Sequence, residues 1–466
     1  MNRLRELLAR GPVSPWSWRE RSGLLLGLEA VQLVITAMLI ARRFAYLGYH
    51  YRSVGLLDVV GGVVALVLVA LSLPDRITRP SGSALWFLAC TVAVPVVGIP
   101  ILFGPLSTPT LLMWQLAVAA AFGLMRWLVS GPVWHWPTPR VSERTYFVAL
   151  AVIVVGSLVA VYASTGAGLS WTAFTNIYAR RFQYASHVSL LGGYTVGALS
   201  GAVAPVLLAL GMHRRSWRIV AASVATVAGL YLLTAQKSYL IGPALAVVGY
   251  FVVTYRTKRW VNWSVGFAAA IIGAGLFDTV TRTAVASSLV IRRGMTTAGI
   301  NSSYYVDYFS SHPTAQLRSS ILSRFGGNPY PLPLSRLIAQ HYYGPRVSAA
   351  NANFLADGFA NFGVIGVLGA GLVIGLYLKA YDAASVGLDV AVSAAAITMV
   401  LVAWTNTASL TGLATHGALA LLALVALTPR SAAPTPGGDT ARPLRATHRL
   451  SRHGGSGEQG RHRERP

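Results

Sequence analysis

The sequence predicts an all-α polytopic membrane protein: about twelve transmembrane helices and one long extracytoplasmic loop. Three observations carry this. Of 466 residues, 54% are hydrophobic and only 11% charged, and the mean hydropathy is +0.55; a soluble domain carries roughly 25% charged residues. The apolar residues come in blocks of about 17–25, the length that crosses a bilayer as a helix. Between two late blocks lies a polar, Arg- and Tyr-rich stretch, 278–356, too long to be a simple connection. Secreted, cytosolic and disordered classes are excluded for the body of the chain.

Taken in order, the blocks place helices near 23–41, 54–73, 84–103, 106–129, 145–163, 188–210, 217–233, 238–254, 261–277, 357–378, 388–404 and 408–428. The first is long for a signal-peptide core and is followed by Arg42 and Arg43 rather than small residues, so no cleavable signal is expected. The third holds Pro95, Gly98 and Pro100, which predicts a kink, and a tight turn is expected at 104–108. Such breakers are tolerated in membranes because neighbouring groups satisfy the freed backbone. Glu29 and Asp58 are acids inside blocks; each is expected to pair with Arg42, Arg43 or Arg52, or to line a polar cavity. A single cysteine, Cys90, precludes an internal disulfide. Gly363, Gly366 and Gly369 read as close helix packing. The chain thus divides into a basic N-terminal segment (1–22), nine helices (23–277), the long loop (278–356), three more helices (357–428) and a Gly-, Pro-, Arg- and His-rich tail (429–466). The tail reads as disordered and drawn to anionic lipid.

Lys and Arg set the orientation. With the N-terminus inside, 25 of the 38 basic residues face the cytoplasm and both termini lie there. The other 13 face outward, against only two acids in the same loops, Asp278 and Asp307. That outer excess points to an extracytoplasmic anion such as phosphate, pyrophosphate or uronic acid, for which the planar guanidinium fork is suited. The alternative is a solvated surface touching lipid phosphates. Lys237 joins two blocks in TAQKSYL, where it either snorkels or binds an anion, and Arg180 and Arg181 read the same way. The long loop adds Arg292, Arg293, Arg324, Tyr304, Tyr305, Asp307, His312 and His341. Its tyrosines suit sugar rings, or form an interfacial belt. Its apolar stretches, Tyr304–Phe309 and Leu334–Ile338, read as short helices lying on the membrane surface. Asp357 opens a helix, as a dipole-favoured carboxylate or as a chemical group, with Asn351, Asn353 and Asn361 beside it as hydroxyl-holding groups. There is no Walker A sequence, no zinc-type cluster, no Asp-x-Asp pair and no nucleophile elbow. No cofactor and no metal are expected, and nucleic acid is not an expected partner.

Three stretches, LLTAQKSYLIGPAL, IRRGMTTAGINSSYYVDYFSSHP and FLADGFANFGVIGVLGAG, together with the span count and the late outer loop, resemble the Wzy-type O-antigen polymerases, also called oligosaccharide repeat unit polymerases. The resemblance implies a GT-C-like transferase architecture in a bacterial plasma membrane. It implies an enzyme that joins polyprenyl-pyrophosphate-linked oligosaccharide units on the outer face, without metal. Lys237 and Arg292 or Arg293 match the family's basic positions, with Arg180, Arg181 and Arg324 as further pyrophosphate contacts. Asp357 and Asn361 match the positions at the return helix. Asp307, His312, His341 and Asp357 are the candidate general bases, and Tyr304, Tyr305, Asn353 and Asn361 the candidate glycan contacts. Lipid-linked glycan and membrane lipid are the implied ligands, with a chain-length regulator or a flippase as protein partner. An O-antigen-ligase-like transferase and a flippase or transporter of lipid-linked glycans are the alternatives.

Overall fold

A computed structural model gives the architecture. It describes residues 16–430 except 137–138, 140, 166–180, 182–183, 185, 256–261, 321, 323–326 and 345–346, and except the side chains of 164–165, 237–238 and 240–241. The described residues are helical, with no strand among them; one antiparallel bridge joins Tyr51 to Phe103.

The helices are α1 Trp18–Ile40, α2 Leu56–Ser72, α3 Pro80–Leu102, α4 Thr108–Ser130, α5 Glu143–Thr165, α6 Leu190–His213, α7 Trp217–Thr234, α8 Lys237–Thr254 and α9 Trp263–Thr281. After them come α10 Thr297–Ser311, preceded by a π-helical stretch Ser288–Thr296, then α11 Leu334–Tyr343, α12 Phe354–Ala384, α13 Val390–Trp404, α14 Ser409–Thr415 and α15 Ala418–Leu427. Eight helices are long and apolar enough to cross a membrane, or nine if the bent pair α14–α15 is one span. This is a multi-pass membrane protein. The remaining predicted spans coincide with three shorter apolar helices, Leu56–Ser72, Gly242–Thr254 and Val390–Trp404.

Sequence explains the main irregularities. Helix α3 is the buried centre, with 94% of its apolar window inside the protein. Its π segment Ala89–Ala93 precedes Pro95, and α6 repeats the device, with Leu199–Val203 ahead of Pro205. Proline lacks the N–H that would reach back four residues and its ring crowds that carbonyl; the widened turn relieves both without ending the helix. Helix α12 breaks at Phe362 and Gly363, where Gly363 takes φ +60°, a region that only glycine enters freely. The break leaves the Ala360 and Asn361 carbonyls without helical donors. The loop at 315–317 supplies them: Ala315 N–H donates to Ala360 (2.9 Å) and Gln316 N–H to Asn361 (3.1 Å). Of the three glycines read as packing positions, Gly363 is this hinge, Gly366 meets the Gly358 backbone across it, and Gly369 has nothing within 4 Å.

The acids within spans divide. Asp58 makes the expected pair, with Arg52 at 3.2 Å, and also accepts from Gly55 N–H at 2.9 Å. Glu29 has no such partner among the described residues.

The long loop corrects an expectation. Tyr304–Phe309 is not a helix lying on the membrane surface. It belongs to α10, which packs between α3 and α12. A side chain at Gly299 would overlap the Pro95 carbonyl, so this glycine is what lets α10 press onto α3, while Ser302 bonds Asn353 of α12's cap. The basic tail 431–466 lies outside the described residues.

Candidate functional site

A cavity of about 1380 Å³ opens among the ends of these helices. Tyr46 and Tyr49 after α1, the first turns of α6, Gln236 and Tyr239 at the start of α8, and the end of α13 line it, together with Arg292, Arg293 and the segment before α12. These ends meet around this cavity. Pockets for drug-sized ligands run to roughly 300–1,000 Å³, so this one is large enough for an oligosaccharide. Among its described lining residues there is no Asp or Glu. The charged members are Arg292 and Arg293; Tyr46, Tyr194, Tyr239 and Tyr343 supply aromatic faces and hydroxyls, while Tyr49 and Tyr184 are nearly buried in the wall and Tyr49 Oη bonds Thr296 Oγ1 at 2.8 Å.

The two arginines sit on the π stretch before α10. Arg292 donates from Nε and Nη2 to Ser288 Oγ at 3.1 and 2.8 Å, and its guanidinium lies 4.6 Å from the Phe44 ring centre. Arg293 is exposed within the cavity lining. Arg292 is therefore held by neighbours on α1's exit loop and its own helix, while Arg293 is the more exposed of the two.

The lining also includes His416, which the sequence alone did not single out. It occupies the break between α14 and α15, which meet at 53°. Its Nδ1 is hydrogen-bonded to Thr415 Oγ1 at 2.9 Å. Gly417 turns the chain with φ +81°. The break rests on α6: a Cβ at Gly197 would overlap the Thr415 carbonyl, and one at Gly201 the His416 carbonyl. A small-xxx-small pair on the π-widened helix thus gives the broken backbone its seat. The signal was present: an ionisable residue followed by glycine inside an apolar block marks function by default.

The other sequence candidates are distributed as follows. Arg181 donates from Nε to the Ala235 carbonyl at 3.1 Å, capping the C-terminus of α7 next to Gln236 of the cavity. Lys237 is the first residue of α8, and its side chain lies outside the described part. Arg180 and Arg324 lie outside the described residues. Asp307, His312 and His341 are not in the cavity lining. They gather around α11: Tyr342 Oη donates to Asp307 Oδ2 at 2.6 Å, His312 stacks on Tyr308 at 4.0 Å, and His341 meets Tyr308 edge-on at 5.2 Å. Asp357 is half-buried in the first turn of α12, beside Asn361 and away from the cavity lining.

The four candidate glycan contacts are structural. Tyr304 and Tyr305 are 4% and 2% exposed, leaving no ring face for a sugar. Their hydroxyls donate to the Gly48 and Ala350 carbonyls at 2.8 and 3.0 Å. Burial pushes these phenols, and those of Tyr342 and Tyr343, above the ordinary range, so they remain donors. Asn353 caps α12, its Oδ1 accepting from Leu355 and Ala356 N–H at 3.0 Å each, while Nδ2 reaches Ser302 Oγ at 2.8 Å. Asn361 accepts from Leu317 N–H at 2.7 Å and donates to the Asp357 carbonyl at 2.8 Å. The loss of a cap of this kind costs about 0.5–2 kcal/mol. Asn353→Ala is expected to lower stability by that amount in a thermal melt, leaving ligand affinity at the cavity unchanged in the folded fraction.

Among the described residues no three or more His, Cys, Asp or Glu gather as a metal site. Comparison of the chain with protein-family models, curated proteins and solved structures finds no match. The class defined by fold and site is a multi-pass helical membrane protein with a basic, tyrosine-lined cavity.

Proposed function

We propose that this protein polymerises polyprenyl-pyrophosphate-linked oligosaccharide repeat units into a surface polysaccharide at the outer side of a bacterial plasma membrane. In this reading the three shorter apolar helices also cross, giving twelve spans with both termini cytoplasmic. The observation that carries it is a cavity large enough for sugars whose described charged lining is Arg292 and Arg293, with no acid. The resemblance to the Wzy-type polymerases adds the substrate class.

The chemistry follows from the wall. The acceptor hydroxyl oxygen attacks the anomeric carbon of the growing glycan. The glycosidic bond to pyrophosphate breaks and its electron pair leaves with the pyrophosphate, whose charge the guanidinium groups stabilise. The hydroxyl proton passes to the imidazole of His416, a base whose intrinsic range lies near neutrality. His416 takes this role over Asp307, His312, His341 and Asp357 because it alone of the five lines the cavity. The tyrosines hold the sugar hydroxyls, and alignment of the two reactants supplies much of the rate.

The test is the size profile of surface and lipid-linked glycans after deletion of the gene. Accumulated single lipid-linked units with loss of long chains support the reading. Long chains left on the lipid indicate a ligase, units trapped on the cytoplasmic side a flippase, and an unchanged profile removes the glycan reading altogether.

A further inference from the structure

Helix α1 carries a polar seam that the proposed chemistry leaves unused. Glu29, Gln32 and Thr36 are three and four residues apart, hence neighbours on one helical face, and they are 6%, 0% and 0% exposed. Glu29 Oε1 and Oε2, Gln32 Oε1 and Nε2, and Thr36 Oγ1 all lack a hydrogen-bond partner. Glu29 is the twelfth residue of a 23-residue span, close to the mid-plane of a bilayer. Its carboxyl points at α3, into the volume that a side chain at Gly98 would fill. Gly98 lies between Pro95 and Pro100, neither of which has a backbone N–H.

A carboxylate buried in this way costs far too much unless its charge is matched. No Lys, Arg or His does so among the described residues, and Arg52 is engaged with Asp58. We infer that this seam is a binding site for a small monovalent cation of sodium's size, held by both oxygens of Glu29, Gln32 Oε1 and Thr36 Oγ1. These are hard oxygen ligands, the class that sodium-like ions take. A single carboxylate matches one positive charge and is too little for a divalent ion, which needs more anionic ligands. A proton on Glu29, with Gln32 Nε2 and Thr36 Oγ1 as further donors, is the competing occupant, and the sodium titration below separates the two. The site is distinct from the cavity, and the inference does not depend on the polymerase reading.

The experiment uses the full chain in lipid nanodiscs at fixed pH, with sodium chloride titrated against choline chloride at constant ionic strength. The melting temperature of the wild type is expected to rise saturably with sodium, as linkage requires of any ligand that binds only the folded state. Glu29→Gln should abolish the rise. Should that variant fail to fold, a membrane-soluble carbodiimide keeps the question open to measurement on the wild type: sodium is expected to slow the modification of Glu29, mapped by mass spectrometry, by tenfold or more. Equal melting and equal labelling in sodium and choline would overturn the site. So would a sodium effect that survives in a folded Glu29→Gln variant, since it would belong elsewhere.

Discussion

Arg293→Ala is expected to lower chain elongation by about ten- to ten-thousandfold, with the protein still folded. A hydrogen bond to a charged partner contributes about 1.5–3 kcal/mol, and each 1.4 kcal/mol is about a factor of ten in rate. Arg293 offers up to two such bonds, because its planar fork engages two phosphate oxygens at once. Arg293→Lys keeps the charge but loses the fork, so its loss should be intermediate. The measurement is kcat/KM for lipid-linked units in proteoliposomes, with the melting temperature as the control for folding. Arg292→Ala is less informative: this side chain also packs on Phe44 and bonds Ser288, so stability should fall along with activity. His416→Gln should behave differently again. It removes the base and leaves the basic wall in place, so binding of the lipid-linked unit is retained while turnover falls by about 10²–10⁴, the span that general-base catalysis covers. If Arg293→Ala elongates at the wild-type rate, the assignment of the pyrophosphate to this wall is wrong.

What was legible in the sequence follows from what a bilayer demands. Blocks of bilayer length had to be apolar, so the spans could be placed, and the Arg292–Arg293 pair stood out because charge is scarce. Pro95 announced a distortion of α3, though not that a π turn would carry the helix through it. The cavity wall around His416 was less visible. Residues 408–428 read as one continuous span because every residue around the break is compatible with lipid; only His416 and Gly417 mark it, and a lone histidine carries no period. The tyrosines misled for a chemical reason. A phenol suits a sugar ring and equally suits a buried backbone carbonyl, and sequence does not separate the two. Tyr304 and Tyr305 found the Gly48 and Ala350 carbonyls, while cavity tyrosines such as Tyr46, Tyr239 and Tyr343 come from three distant segments that only the fold brings together. Asn353 and Asn361 were placed near the right helix and given the wrong partners: buried backbone groups at a cap and at a helix break have first claim on an amide.

The seat of that break yields the second large effect. Gly193, Gly197 and Gly201 follow one another at four-residue spacing on α6, and all three line the cavity. Helix propensity alone predicts that alanine at each would stabilise by up to about 1 kcal/mol. Packing predicts a split. Gly193 has nothing within 4 Å, whereas a methyl group at Gly197 or Gly201 would overlap the carbonyls of Thr415 and His416. Those carbonyls belong to backbone that Gly417 has already turned, so they cannot swing aside as a side-chain tip would. Overpacking of this kind costs about 1–3 kcal/mol, occasionally more. Gly193→Ala should therefore melt at or slightly above the wild-type temperature and retain activity. Gly197→Ala and Gly201→Ala should melt lower and lose turnover more than binding, because the shifted break carries His416 with it while Arg292 and Arg293 stay on their own helix. Equal melting of all three variants would mean that α14–α15 does not rest on α6, and His416 would then lose the support that holds it against the cavity.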